Sequence, residues 1–248
     1  FTYSLLDNSK TVSIEKVQKQ SRVKDLLAFV KVRLTFSVVL SSVLGFGIAP
    51  TPFSAWNLVL LIFGGFFITG AANGFNQIIE RDVDGLMKRT MNRPLPTGRM
   101  KVNEAIAIAS TLAILGLVFL YLINPLSAIL GFLGFFIYVV IYTPLKKVGP
   151  IAVFVGAFPG AIPPMLGYVA ANGHFGLEPG ILFAVQFIWQ FPHFWAIAWL
   201  QYDEYKKAGF NLMPMGLKNK RAVIQIIIYT ICLIIVSVIP VLHKTGSF

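Results

Sequence analysis

Asn76, Glu80 and Asp84 recur at four-residue intervals in the run NQIIERDVDG. On a helix this spacing lines all three along one face, with Asn73 close to the same stripe and Asp82 pointing elsewhere. Two carboxylates and an amide oxygen, with no His or Cys beside them, form a hard oxygen donor set that suits Mg²⁺ far better than Zn²⁺. Mg²⁺ held by one or two carboxylates completes its shell with water and phosphate oxygens. The next residues carry the matching charge: Lys88, Arg89, Arg93 and Arg99 follow in one short loop stiffened by Pro94 and Pro96. Such a loop can surround a diphosphate with charge-assisted hydrogen bonds. A solvated loop with incidental salt bridges is the ordinary reading of a charged loop. Three acids, Glu80, Asp82 and Asp84, clustered beside the bases favour a metal and polyphosphate site instead.

Two other polar segments could add to it. In QYDEYKKAGFNLMPMG, Asp203 and Glu204 precede Lys206 and Lys207. Alone this reads as a helix terminus with dipole-complementing lysines; paired with the first loop, Asp203 could help hold a second Mg²⁺. In YTPLKK, Tyr142 and Lys146 stand four apart, so a continuing helix would present a phenol and an ammonium together, although Pro144 opposes that continuation.

The elements that must position these residues are membrane helices. Of 248 residues, 56% are hydrophobic and 12% charged, well below the roughly 25% charge of a soluble domain. Seven apolar stretches, near 34–49, 55–79, 105–123, 126–142, 151–171, 177–200 and 222–242, are long enough to cross a bilayer. Strand-like alternation is missing, so the expected fold is all-α: a polytopic transmembrane helical bundle with residues 1–33 as a cytoplasmic segment and 243–248 as a tail. The net charge of +11 follows from topology. Lys and Arg number seven up to Arg33, six in the loop after the second stretch, two after the fourth and five after the sixth. The alternate loops hold none, and only Lys244 lies on the other side. The basic side is cytoplasmic by the positive-inside rule, and the polar loops with their acids share it. Topology, anionic lipid and an anionic substrate thus explain the surplus without nucleic acid.

Elsewhere, Cys232 alone in the last stretch excludes an intramolecular disulfide and reads as a core thiol. Pro159, Pro163 and Pro164 predict a kinked or broken fifth stretch, with Gly156, Gly160 and Gly167 admitting a close neighbour. His193, after Pro192 in the sixth stretch, reads as a buried imidazole and so as a functional residue. No signal peptide is read at the N-terminus.

The first loop, the YTPLKK element and the segment WQFPHFWAIAWLQYDEYKKAGFNLMPM together resemble the UbiA superfamily of intramembrane prenyltransferases, and within it the heme O synthases. The likeness extends over residues 31–215, with the three motifs in the family's order. Glu80 stands where many members have Asp, Val32 replaces a frequent Pro, and the second acidic motif is reduced to Asp203 and Lys207. Family members usually have nine helices, so the resemblance implies two beyond the seven counted.

The resemblance implies Mg²⁺-dependent transfer of farnesyl from farnesyl diphosphate to a vinyl group of heme b. Asn76, Glu80, Asp84 and Asp203 would hold metal; Arg93, Tyr142 and Lys146 would join Asn76, Glu80 and Asp84 in catalysis. Asn73, Lys88, Arg89, Arg99, His193, Asp203 and Lys207 would bind substrate, with His193 toward heme iron. Phe132, Phe135, Phe136, Tyr138, Phe154, Phe158, Phe187 and Trp189 offer π faces that could shield an allylic cation. Heme A synthase is the implied partner, and a bacterial inner membrane the implied location. The alternatives are a sibling prenyltransferase acting on a quinone precursor or tetrapyrrole alcohol, and an ion or proton transporter.

Overall fold

The structure, a computed structural model, describes residues 21–242. Residues 1–20 of the expected N-terminal segment, and the 243–248 tail, lie outside the described residues. Among the described residues the fold is an all-helical bundle. Six helices are long and apolar enough to span a membrane, and a bent pair makes a seventh.

That pair is α1 (Arg22–Phe29) and α2 (Val32–Ile48), which meet at 48°. Lys31 sits at the break with φ 49° and ψ 56°, a left-handed conformation that costs an ordinary side chain about 1–2 kcal/mol. The break leaves carbonyls without helical partners, and they are satisfied from a neighbouring span. Gln77 Nε2 donates to the Phe29 and Ala28 carbonyls at 2.6 and 3.2 Å. Asn73 Nδ2 donates to the Val30 carbonyl at 3.4 Å and to Thr35 Oγ1 at 3.2 Å, while the Thr35 hydroxyl also donates to Val30. The Ala28 carbonyl also accepts from the Lys31 N–H at 3.2 Å, so it is the Phe29 carbonyl that would be an unpaired polar group in an apolar layer without Gln77. Helix α2 matches the stretch expected near 34–49, and α1 is a further short helix set at an angle before it.

The span that supplies these amides is α3 (Ala55–Asp84). Ser54 caps its start by accepting from the Asn57 N–H. Its 30 residues reach about 45 Å at 1.5 Å per residue, against a hydrocarbon layer of roughly 30 Å. The polar residues of the helix gather at its C-terminal end, where Asn76, Glu80 and Asp84 lie. Helix α4 (Val102–Ile123) packs along α3, and α5 (Pro125–Phe136) turns back from α4 through the Asn124 cap. The fourth stretch then passes through a π-helical turn, Ile137–Tyr142, into the short helix α6 (Thr143–Leu145).

Helix α7 (Ile151–Asn172) carries all three of its prolines within one continuous helix, so of the expected kink or break it is the break that does not occur. Its close neighbour is α2. A Cβ on Gly167 would lie 1.8 Å from the Ser42 carbonyl oxygen, and one on Gly45 would lie 2.0 Å from that of Pro164. Small residues thus bring two backbones together, as membrane helices require for tight association. Helix α8 (Leu177–Leu200) packs on α7, and α9 (Tyr202–Lys207) leads toward α10 (Lys220–Leu242), which rests against α8. Helix α10 presents most of its Ile and Val side chains outward. Cys232 is exposed on it and is not the core thiol expected.

Candidate active site at the mouth of the bundle

The expected stripe exists because α3 stays helical to Asp84. Asn76, Glu80 and Asp84 are all buried, at 1%, 5% and 0% exposure, whereas the side chain of Asp82 is 84% exposed and meets only Arg81, at 3.5 Å. Each member of the stripe holds one basic residue, and each base comes from a different element. Lys31 Nζ, from the α1–α2 break, donates to Asn76 Oδ1 at 2.9 Å. Lys146 Nζ, just past α6, pairs with Glu80 Oε1 at 2.8 Å. Arg93, from the loop after α3, pairs with Asp84 Oδ2 at 2.6 Å.

The π-turn is part of this geometry. Asn76 Nδ2 donates to Thr143 Oγ1 at 3.3 Å, and that hydroxyl donates to the Tyr138 carbonyl at 2.8 Å. The wider turn carries Tyr142 and Lys146 to the same place, so Pro144 does not separate them: the ammonium lies 4.8 Å from the centre of the Tyr142 ring and 5.7 Å from that of Phe210. Room for the phenol comes from Gly156 on α7, where a Cβ would stand 2.6 Å from a Tyr142 ring carbon. Burial disfavours the Lys146 ammonium, but the charge and hydrogen bond of Glu80, together with the Tyr138 and Tyr205 phenols, more than offset this and hold its pKa above the ordinary lysine value.

The donor set fits a magnesium ion. Asp84 Oδ1 is buried with no hydrogen-bond partner, directly beside the oxygen that Arg93 holds. An orphaned carboxylate oxygen of this kind calls for a ligand. Among the described residues no three His, Cys, Asp or Glu side chains converge enough to cage an ion alone. The stripe offers two carboxylates and an amide oxygen, and Mg²⁺ takes one or two carboxylates and leaves further positions to phosphate oxygens.

Other expected site residues are placed differently. Asn73 is buried on the stripe, with its amide on the helix break. Arg99 pairs with Asp25 at 2.9 Å and donates to the Asn92 carbonyl at 2.7 Å, bracing α1 against the loop. Lys88 and Arg89 are exposed. Asp203 is exposed at the start of α9 and is not brought to the stripe. Its neighbour Glu204 reaches inward instead, accepting from the Lys88 backbone N–H at 2.6 Å and from Lys207 Nζ at 3.1 Å. The chain turns at Gln201, outside helical geometry, and this resets which acid faces the first loop. His193 is exposed, not buried as expected, and its ring stacks on Trp189 with centroids 4.3 Å apart. Of the aromatic residues, Tyr138 packs beside Tyr142, which also meets Phe194. Phe154, Phe158 and Phe187 form a contiguous array between α7 and α8. Phe132 and Phe136 stack on each other at the exposed surface, and Phe135 meets Phe75.

Sequence reasoning missed Lys31 and Thr143, and of the pair Asp203 and Glu204 it carried only Asp203 into the site. Lys31 had one signal: apolar residues Leu26, Leu27 and Phe29 precede it, so it interrupts an apolar run instead of starting one.

The Lys88 and Lys207 contacts hold the Glu204 carboxyl below its usual pKa range. A lowered folded pKa means the tie is fully present above the ordinary carboxylate value and is lost as pH falls through the folded one. Amide hydrogen exchange in residues 86–91 should therefore quicken in Glu204→Gln at neutral pH. In the parent, protection measured relative to the intrinsic exchange rate at each pH should fall only on acidification, with the two proteins converging once Glu204 is protonated.

Comparison with known proteins agrees with this architecture. The UbiA prenyltransferase family model matches residues 38–248. A protoheme IX farnesyltransferase from Christiangramia forsetii is 54% identical, over 92% of this chain and 76% of that one. One from Flavobacterium johnsoniae is 50% identical, over 90% and 75%. Among solved structures, a UbiA homolog from Archaeoglobus fulgidus bound to GPP and Mg²⁺ superposes with a TM-score of 0.74 at 22% identity, over 86% of this chain and 76% of that one. A digeranylgeranylglyceryl phosphate synthase does so with 0.74 at 24%, over 90% and 78%. The fold, the apolar spans and these relatives agree: the chain is an integral membrane prenyltransferase and belongs to the UbiA prenyltransferase family.

Proposed function

We propose that this enzyme transfers a farnesyl group from farnesyl diphosphate to a vinyl group of heme b, yielding heme O and diphosphate. The observation that carries the reading is the convergence of Lys31, Lys146 and Arg93, from three separate elements, on the Asn76, Glu80 and Asp84 stripe. Its support for heme as acceptor is the name carried by relatives at 50–54% identity.

In this reading Asn76, Glu80 and Asp84 hold Mg²⁺, with Asp203 outside the set. When bound, the ion neutralises charge on the departing diphosphate. The chain's own residues supply the rest. Arg93, Lys146 and Lys31 provide fixed positive charge where the leaving oxygens gather. Lys88 and Arg89, exposed on the loop, extend that field outward to draw in the anion. As the carbon–oxygen bond breaks, the allylic cation faces Tyr138, Tyr142 and Phe194, whose ring faces stabilise it and exclude water. The vinyl group attacks the cation, and water completes the hydroxyethylfarnesyl substituent with loss of a proton. His193, open on α8 and braced by Trp189, offers an imidazole to the heme iron. The working location is a bacterial inner membrane with the site on the cytoplasmic side, and heme A synthase is the natural recipient of the product.

Incubation of the purified protein with farnesyl diphosphate, heme b and Mg²⁺ should give a farnesylated heme by mass analysis. A prenylated quinone precursor, formed in competition while heme stays unmodified, would replace this reading with that of a sibling enzyme.

A further inference from the structure

Three basic side chains and two carboxylates meet at the stripe, and with all five ionised they leave one net positive charge before any ligand arrives. A divalent ion entering alone would raise that charge in a poorly solvated site. A diphosphate ester, with roughly three negative charges at neutral pH, entering alone would turn it negative. Entering together they bring it to about neutrality. The contact geometry adds a second constraint. Lys31 Nζ is on Asn76 Oδ1, the oxygen that the metal would take. The amide's other atom is already engaged, because Nδ2 donates to Thr143. Asn76 therefore cannot turn its oxygen elsewhere without giving up that bond. Lys31 is better placed to move. It is half-buried at the junction of two helices, and its four-carbon stem and rotatable ammonium let it change partners without moving the backbone. The junction itself is pinned by Gln77 and Asn73, so the stem has a fixed anchor.

We propose that Lys31 is an exchanging counter-ion: its ammonium holds Asn76 Oδ1 and leaves it for a diphosphate oxygen, so that divalent metal and prenyl diphosphate enter together and each binds weakly alone. This rests on the proposed function and assigns to Lys31 the coupling between its two ligands. A structural lysine would support both ligands alike. An exchanging one competes with the metal and attracts the diphosphate, so its removal has effects of opposite sign.

The test is direct binding to the full chain in detergent, without a prenyl acceptor, using Mn²⁺ as the spectroscopic probe for Mg²⁺ and farnesyl diphosphate as the anion. In the parent protein, farnesyl diphosphate should tighten Mn²⁺ binding by on the order of tenfold or more. In Lys31→Met, Mn²⁺ alone should bind several-fold tighter than in the parent, farnesyl diphosphate alone should bind more weakly, and the coupling should shrink. Lys31→Arg, which keeps the charge, should keep the coupling. In Asn76→Ala the shared oxygen is gone, so adding Lys31→Met should change Mn²⁺ affinity less than it does in the parent. Should Lys31→Met weaken Mn²⁺ binding or leave it unchanged, the exchange is wrong while the prenyltransferase reading stands. If that variant does not fold, loss of coupling in folded Lys31→Arg overturns the proposal equally. A parent protein that binds neither probe would instead overturn the proposed function.

Discussion

Asp84→Asn should abolish Mg²⁺-dependent prenyl transfer, with a fall in kcat of at least about 100- to 1,000-fold, while Asp82→Asn stays within a few-fold of the parent. The two residues are separated by a single position, yet they differ completely in surroundings. Asp84 is fully buried, one carboxylate oxygen held by Arg93 and the other without a partner, and Asp82 is solvent-facing against Arg81. The asparagine is nearly isosteric, so the loss isolates charge from shape. It also leaves the Arg93 guanidinium without its counter-charge, an arrangement that costs about 3–5 kcal/mol when a buried pair is broken. Thermal unfolding is therefore measured beside turnover. A folded, inactive Asp84→Asn and an active Asp82→Asn are the expected pair. Equal losses at both positions would show that the stripe does not select its ligands by helical phase.

The second large effect is structural. Gly167→Val should destabilise the protein by at least about 3 kcal/mol, beyond the usual range for overpacking. The added Cβ would stand 1.8 Å from the Ser42 carbonyl oxygen and 2.7 Å from its carbon. Both are backbone atoms and cannot rotate aside, so α2 and α7 must separate. Gly47→Val is the control, because a Cβ there meets nothing within 4 Å; it should stay within about 0.5 kcal/mol. The readout is the fraction of monodisperse protein recovered in detergent after a heat step. Recovery of Gly167→Val equal to that of Gly47→Val would contradict the close packing of these helices.

The reach of the sequence can be judged from particular residues. The spans were legible because apolar length is set by bilayer thickness and needs no knowledge of neighbours. The Asn76, Glu80 and Asp84 stripe was legible because its phase is carried inside one unbroken helix. Lys146 was half-legible: its spacing from Tyr142 pointed the right way, but the π-turn that carries them both has no mark in IYVVIY. Lys31 was hidden because its left-handed conformation is imposed by amides 42 or more residues away, a non-local cause that no local propensity reveals. The exposure of His193 was hidden for a related reason: the rotation of α8 about its axis is fixed by α7 and α10, not by the helix itself. Asp203 and Glu204 show the limit most plainly. They are adjacent and chemically alike, and the irregular residue Gln201 decides which one turns inward.

The overhang of α3 bears on how substrate is found. An amphiphile dissolved in a leaflet floats with its head group at the water boundary, and a helix whose polar third follows about 27 Å of mostly apolar residues would carry its charged terminus to that height. Capture then becomes a lateral, two-dimensional search along the leaflet. The helix acts as a depth gauge: shortening it by one turn would lower the oxygens about 5 Å into the hydrocarbon, where no floating head group passes.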